Sequence, residues 1–296
     1  MGNLINSYFL MTLTALFWAG AFIAGKVGLR ELSPILLTTL RFILASIFIC
    51  AICKTKKEKH MKITYKDIGI LYLLSIVGVI GYQILFLISL NYTTANNAAI
   101  LVSFSPLLTI CLASLYSDEK LNIKRIVVIL VGIFGVVLTI SNGDIKMLLN
   151  LKFNIGDIIM LLAALCLAIY SVAVKPITNK FSPLIITKYT LLISTIILIP
   201  FSIKPNTIKE LLSLSLMGWL SVIYMAIFPT VIAYIFQQIA IKKIGASQTE
   251  MFRNLVPVFS IILSFAFLKE KINYLNMLSM IIITSSVYIN SRFNES

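Results

Sequence analysis

Apolar residues along this chain fall into long uninterrupted runs separated by short polar punctuation, with none of the two-residue alternation that marks half-buried strands. Ten runs stand out, at about 7–27, 34–53, 67–90, 97–116, 125–141, 156–174, 183–203, 214–241, 249–268 and 274–291. Most hold roughly 18 to 25 residues, enough for a helix rising ~1.5 Å per residue to cross ~30 Å of hydrocarbon. Helices follow from the solvent, because an unpaired backbone group in lipid costs several kcal/mol and only helices or closed barrels avoid that penalty. The alternation of ten-residue barrel strands is absent. The pattern therefore predicts an all-α integral membrane protein of ten transmembrane helices. The first run is too long and too weakly flanked by basic residues for a cleaved signal peptide, so it reads as the first span.

The runs come in two related sets. Leu32-Ser33-Pro34-Ile35-Leu36-Leu37-Thr38 recurs as Phe181-Ser182-Pro183-Leu184-Ile185-Ile186-Thr187, an offset of 149 that also sets Lys26 on Lys175. Pro106 and Glu119 lie thirteen apart, as do Pro257 and Glu270 at offset 151, and Lys120-Leu121-Asn122 is echoed by Lys271-Ile272-Asn273. Five spans in each half, an odd number, make the second copy start on the opposite face of the membrane. The expected organisation is a first repeat over 1–141, a junction loop over 142–155, a second repeat of inverted topology over 156–291 and a short tail over 292–296. Such repeats form a site between them.

Composition sharpens this picture. With 59% hydrophobic and 12% charged residues the chain exceeds the apolar share of a soluble domain, roughly 45–50%. The net charge of +14 raises nucleic-acid binding, which the position of the charges answers. Lys54, Lys56, Lys57, Lys59, Lys62 and Lys66 crowd one loop. If the N-terminus is cytoplasmic, loops and tail on that side hold fourteen basic residues against eight on the other. The positive-inside rule then predicts both termini in the cytoplasm of a multi-pass cell-membrane protein with no nucleic-acid partner.

Catalytic and metal chemistry find no constellation. Cys50, Cys53, Cys111 and Cys166 sit in or beside apolar spans, and the Cys50/Cys53 pair has neither a second pair nor a nearby histidine to complete a metal site. His60, the single histidine, lies in the basic loop without ligand partners. There is no Walker-type loop, no paired intramembrane aspartate and no GxSxG elbow. The expectation is a non-enzyme without cofactor or metal, driven by an ion gradient, by exchange or by the substrate's own gradient.

Candidate site residues are those that lipid does not tolerate idly. Pro106 and Pro257, near the middles of the fourth and ninth spans, deny hydrogen bonds to the carbonyls of Val102 and Arg253. At offset 151 Gly78 in the third span meets Pro229 in the eighth, so helix-breaking residues occur at matched points, the sequence pointer to a transporter's site. Ionisable residues inside spans are Arg41, Lys188, Glu250 and Arg253, each costing ~2.5–3.5 kcal/mol on insertion scales unless it faces protein or water. Glu250, Arg253 and Asn254 share a helix face. Two readings stand open there: an internal Glu250–Arg253 pair, or Arg253 meeting a substrate carboxylate or phosphate while Glu250 engages an amine or carries a proton. Arg41 and Lys188 fall one position apart in the repeat alignment and suggest a gate or snorkelling cations. Tyr82, Gln83, Asn97, Ser103, Tyr234 and Gln238 thicken the third, fourth and eighth spans, where a polar wall takes the place of water around a solute. Trp18 and Tyr170, in the equivalent first and sixth spans, are placed to line the same vestibule.

These residues resemble the drug/metabolite transporter superfamily, specifically its EamA-type ten-helix exporters. The likeness rests on Phe17-Trp18-Ala19-Gly20-Ala21, on Ser33-Pro34 leading into Leu40-Arg41-Phe42, and on Pro106 followed by Asp118-Glu119-Lys120-Leu121. The second copy supplies Asn254-Leu255-Val256-Pro257-Val258-Phe259 and Leu268-Lys269-Glu270-Lys271-Ile272. The resemblance implies a basket of ten helices around a central cavity lined chiefly by helices one to four and six to nine. It implies export of amino acids, related metabolites or drugs. The inverted halves themselves point to alternating access, and proton or exchange coupling are the candidate driving forces. The charged start of the ninth helix, Glu250 and Arg253, departs from the small or apolar residues usual in the family. Uptake by the same fold and a non-transporting sensor or assembly subunit are the alternatives; oligomeric state is not legible.

Overall fold

The structure, a computed structural model, describes residues 2–55, 64–89, 92, 101–116, 123–141, 155–205, 207–268 and 274–292. Its elements are helical throughout the described residues. In chain order they are α1 (Gly2–Gly28), α2 (Pro34–Thr55), α3 (Tyr65–Leu73), a π-helical stretch (Leu74–Gly81), α4 (Tyr82–Ser89), α5 (Ser105–Tyr116), α6 (Ile123–Ser141), α7 (Ile155–Lys180) and α8 (Pro183–Ser202). There follow α9 (Thr207–Leu212), α10 (Leu216–Ala226), a second π-helical stretch (Ile227–Ile232), α11 (Ala233–Ile244), α12 (Ala246–Met251), a 3-10 turn (Phe252–Asn254), α13 (Leu255–Leu268) and α14 (Tyr274–Arg292).

Among the described residues six helical segments are long and apolar enough to cross a membrane: Asn6–Gly25, Pro34–Thr55, Tyr65–Ser89, Ile155–Lys180, Pro183–Ser202 and Leu216–Ile244. The short helix α9 was not anticipated by the apolar pattern, and α1 and α7 extend past their apolar runs because a helix does not end where the hydrocarbon does. The basic loop from 56 to 63, the junction from 142 to 154 and the tail from 293 lie outside the described residues, as does Asn97.

Local chemistry sets the helix ends. Ser182 caps α8 by accepting the Ile185 amide at 3.3 Å, and Pro183 occupies the first turn, where a missing N–H costs nothing. Thr64 and Asp67 form a reciprocal capping box on α3, and Lys180 at the end of α7 pairs with Asp67. At the start of α10, Ser215 accepts the Gly218 amide at 3.0 Å and donates its hydroxyl to Glu31 at 2.6 Å. The Ser215 amide donates to the same carboxylate at 2.7 Å, tying the α1–α2 turn to α10.

The molecule is turned inside out relative to a soluble protein. Ile47, Phe134, Ile196 and Ile281 on four different helices are each 60–67% exposed, whereas Thr38, Ser46, Gln83, Thr187, Thr190, Ser194 and Gln237 are buried. An apolar periphery around a polar interior is what lipid as solvent dictates, since association there rests on close packing and interhelical hydrogen bonds. The two largest apolar clusters pack around these buried polar groups. One joins Phe42 and Ile49 of α2 to Tyr170 and Val174 of α7 and to α8. The other joins Ala15 and Trp18 of α1 to Ile129 and Ile133 of α6, Met251 and Ile283.

Helices α2 and α8 run antiparallel: Ser46 meets Thr195, oxygen to oxygen at 3.0 Å, while Cys53 further along α2 meets the carbonyl of Leu184 earlier in α8. Ser46 and Thr195 are 149 apart, so the repeat-related residues touch each other. Helices α6 and α14 do the same. A Cβ on Gly132 would lie 2.7 Å from Ser286 Oγ, and one on Gly135 would lie 2.7 Å from Ile283 Cγ1. In the alignment Gly132 matches Ile283 and Gly135 matches Ser286, so the glycines of one helix accommodate the larger residues of the other. The loss of glycine at 283 and 286 is thus filled in across the contact.

Candidate functional site

A cavity of about 440 Å³ opens between the two apolar clusters. It draws Trp18 and Gly25 from α1, Arg30 from the turn after it, Arg41 from α2, Tyr82 and Gln83 from α4, Tyr170 from α7, and Tyr234 and Gln237 from α11. Gly78 and Pro229 line it from the two π-helical stretches, Ser103 from the turn before α5, and Arg253, Asn254 and Pro257 from the broken start of α13. Arg30 is exposed, so the cavity reaches the surface at the C-terminal end of α1.

Each interrupted helix does something specific at this wall. Pro229 has no N–H to give the carbonyl of Met225, four residues back. The side chain of Thr230 supplies the missing donor, its Oγ1 lying 2.7 Å from Met225 O. The same Thr230 oxygen accepts Arg41 Nε at 2.5 Å, and Arg41 Nη1 donates to Gln83 Oε1 at 3.2 Å. The helix fault thereby creates an uncharged seat for a guanidinium that is only 4% exposed. Gly78 lets α7 approach the matching stretch: a Cβ there would sit 2.3 Å from the Tyr170 ring and 2.6 Å from its Cβ. Ser103 lies in the turn that precedes α5, where Phe104 N bonds Leu101 O and Pro106 follows at the second position of the helix.

Glu250, on the last turn of α12, is 1% exposed and saturated by protein donors. It accepts Ser171 Oγ at 2.6 Å, Gln237 Nε2 at 2.8 Å, and Arg253 Nε at 2.8 Å with Nη2 at 3.4 Å. The guanidinium of Arg253 lies over the Trp18 ring, 3.9 Å from its centroid. Stacking on an indole face and pairing with a buried carboxylate hold this cation against the cavity wall. Below, Gln238 donates to Tyr170 Oη at 3.0 Å and Tyr170 faces Tyr234 at 6.1 Å. These buried polar groups close the end of the cavity opposite Arg30. Asn254 Oδ1 and Gln238 Oε1 have no hydrogen-bond partner among the described residues.

The cavity therefore gathers Trp18, Arg41, Tyr82, Gln83, Ser103, Tyr170, Tyr234, Arg253 and Asn254, with Gly78, Pro229 and Pro257. Glu250 and Gln238 stand behind its surface, and Pro106 is buried beyond it. Lys188 is not brought there: its ammonium lies over the Tyr189 ring at 5.6 Å. Its separation from Arg41 follows from the antiparallel crossing of α2 and α8, which puts residues near the two helix starts at opposite ends. Sequence reasoning missed the cavity role of Arg30, assigned to a loop, and that of Thr230, whose signal was a hydroxyl directly following a mid-span proline. Among the described residues no group of acidic, histidine or cysteine side chains is arranged to hold a metal.

An interior cavity lined by interrupted apolar helices defines a polytopic membrane protein that handles a small molecule. The sequence profile of the EamA-like transporter family matches residues 5–141 and again 154–292, and the chain belongs to that family. Similar proteins include the "Uncharacterized transporter YyaM" of Bacillus subtilis, 30% identical over 88% of this chain and 86% of that one. An "Uncharacterized transporter" of Archaeoglobus fulgidus is 29% identical over 97% of each chain. A "Probable terminal-alkyne amino-acid exporter" of Streptantibioticus cattleyicolor is 22% identical over 90% of this chain and 87% of its own. A crystal structure covering 98% of this chain and 99% of its own superposes with a TM-score of 0.80 at 17% identity, a likeness of fold.

Proposed function

We propose that this protein is a secondary transporter that exports a small organic solute, an amino acid or related metabolite, across the cytoplasmic membrane by alternating access. The observation that carries the reading is the cavity of about 440 Å³ walled by helix faults at Gly78, Pro229 and Pro257. Backbone irregularity at membrane depth is tolerated where it lines a cavity, and half-broken helices there are the material of transporter sites.

The architecture proposed is ten spans in two inverted five-helix repeats, 1–141 and 156–291, with both termini cytoplasmic. Contacts between repeat-related residues support it. Ser46 touches Thr195 and α6 crosses α14 reciprocally, as partners related by a twofold axis do. The two π-helical stretches, carrying Gly78 and Pro229, support it as well. With the N-terminus inside, the end bearing Arg30 faces outward, so the conformation is open to the exterior and closed below Tyr170. The name of the Streptantibioticus relative supports an amino-acid-like cargo.

Counterflow tests the reading. Proteoliposomes preloaded with an amino-acid mixture should accumulate labelled members of it faster than protein-free vesicles. No accumulation for any amino acid, organic acid or amine would remove the transporter reading. Cysteines placed singly at 60 and 144 in a cysteine-free background should label from the inside and outside respectively, and the reverse pattern would overturn the topology.

A further inference from the structure

We propose that Arg41 anchors the carboxylate of a small organic acid in the cavity, and that the cargo needs no ammonium group. This deepens the transporter reading and rests on it for the identity of the site. Among the described residues three guanidinium groups line the cavity, Arg30, Arg41 and Arg253, and no aspartate or glutamate does so. Arg253 is neutralised by Glu250 at 2.8 Å. Arg41 is not: its partners Thr230 and Gln83 are neutral, and Thr230 has already given its proton to Met225 O. A guanidinium carries five N–H donors, and among the described residues Nη2 of Arg41 donates to none.

A buried cation without a counter-ion is unfavourable, and an anion entering from water supplies the missing charge. The planar fork of arginine matches a carboxylate in geometry. Most of the rest of the wall is apolar or aromatic, with Trp18, Tyr82, Phe86 and Tyr170 beside the polar Ser103, Gln237 and Asn254. An ammonium finds no free carboxylate among the described residues, since both Glu250 oxygens are taken by Ser171, Gln237 and Arg253.

The test is ligand binding by the purified protein, read as thermal stabilisation, with phenylacetate, phenylacetamide and phenethylamine as probes of one shape and three charges. Phenylacetate should bind at least about tenfold more tightly than either of the others. Arg41→Gln should erase that preference and Arg41→Lys should keep part of it. The inference is overturned if the amide or the amine binds as well as the acid, if R41Q retains the preference, or if none of the three binds. Should R41Q fail to purify, the wild-type ratio and R41K decide. Binding does not depend on turnover, so acid-selective binding without counterflow removes the transporter reading and leaves the anion seat standing.

Discussion

Replacing Glu250 by Gln isolates the strongest electrostatic contact in the interior. The carboxylate is 1% exposed and the Arg253 side chain 9%, so water screens the pair only weakly, from the cavity side of Arg253. The isosteric amide keeps an oxygen able to accept from Ser171 or Gln237, but it removes the charge that Arg253 faces at 2.8 Å and adds a donor beside donors. Breaking a buried pair by deleting one member costs about 3–5 kcal/mol, because the other charge is left uncompensated. Here the lower end applies, since Arg253 retains the Trp18 face and an outlet to the cavity. The expected loss is about 3 kcal/mol, measured by denaturing-detergent titration in mixed micelles. The double variant Glu250→Gln with Arg253→Met should recover at least half of the loss, as removal of both charges leaves no orphan. The reasoning fails if E250Q is as stable as wild type, or if the double variant is no better than E250Q. The same variant tests coupling: full gradient-driven accumulation by E250Q in proteoliposomes would show that Glu250 is not a proton carrier.

Three further outcomes are expected. Gly78→Ala places a Cβ 2.3 Å from the Tyr170 ring, an overpacking worth about 1–3 kcal/mol; Tyr170→Ala in the same chain removes the ring but keeps a Cβ 2.6 Å away, and should relieve only part of it in a melting assay. Thr230→Val deprives both the Met225 carbonyl and Arg41 Nε of their partner and should cost about 1–3 kcal/mol; transport unchanged in rate and stability would contradict the role given to the helix fault. The hydroxyl and then the amide of Ser215 hold the Glu31 carboxyl below its usual range. A carboxyl whose folded pKa is depressed stabilises above the unfolded value, about 4.3, and that stabilisation fades as pH falls through the folded value. The melting-temperature difference between wild type and Glu31→Gln should therefore hold steady from pH 7 toward 5 and vanish in stronger acid; a difference that grows on acidification would refute it.

The helices were legible because lipid reduces the choice of structure to run length, and the long apolar runs from Pro34, near Tyr65, near Ile155 and from Pro183 appear as membrane-length helices. Much of the cavity was legible for a related reason: residues such as Arg41, Gln83 and Arg253 are costly in lipid and so had to face inward. What stayed hidden was pairing between distant segments. Nothing local says that Thr230 repairs the carbonyl freed by Pro229 and then seats Arg41, or that Ser171 and Gln237 fill the remaining valences of Glu250. Lys188 was grouped with Arg41 because alignment reports matched positions, whereas depth depends on the direction each helix runs. The lone Arg30 read as a loop charge because its reach into the cavity depends on how α1 leans against α10.

Repetition builds the hollow but cannot by itself give it a polarity for charge. The positions matching Arg41, Glu250 and Arg253 in the other half are Thr190, Ala99 and Val102, all neutral. If both halves carried the charges, four guanidinium groups would crowd one cavity against two carboxylates, and their mutual repulsion in a low-dielectric interior would oppose closure around any solute. Keeping the close helix contacts in register, Ser46 on Thr195 and Gly132 on Ser286, while letting the charged positions diverge, preserves the packing between the halves. It also leaves Arg41 as a buried cation with no carboxylate partner among the described residues, beside a self-neutralised pair. The chemistry of the site thus resides where the two halves differ, and the fold where they agree.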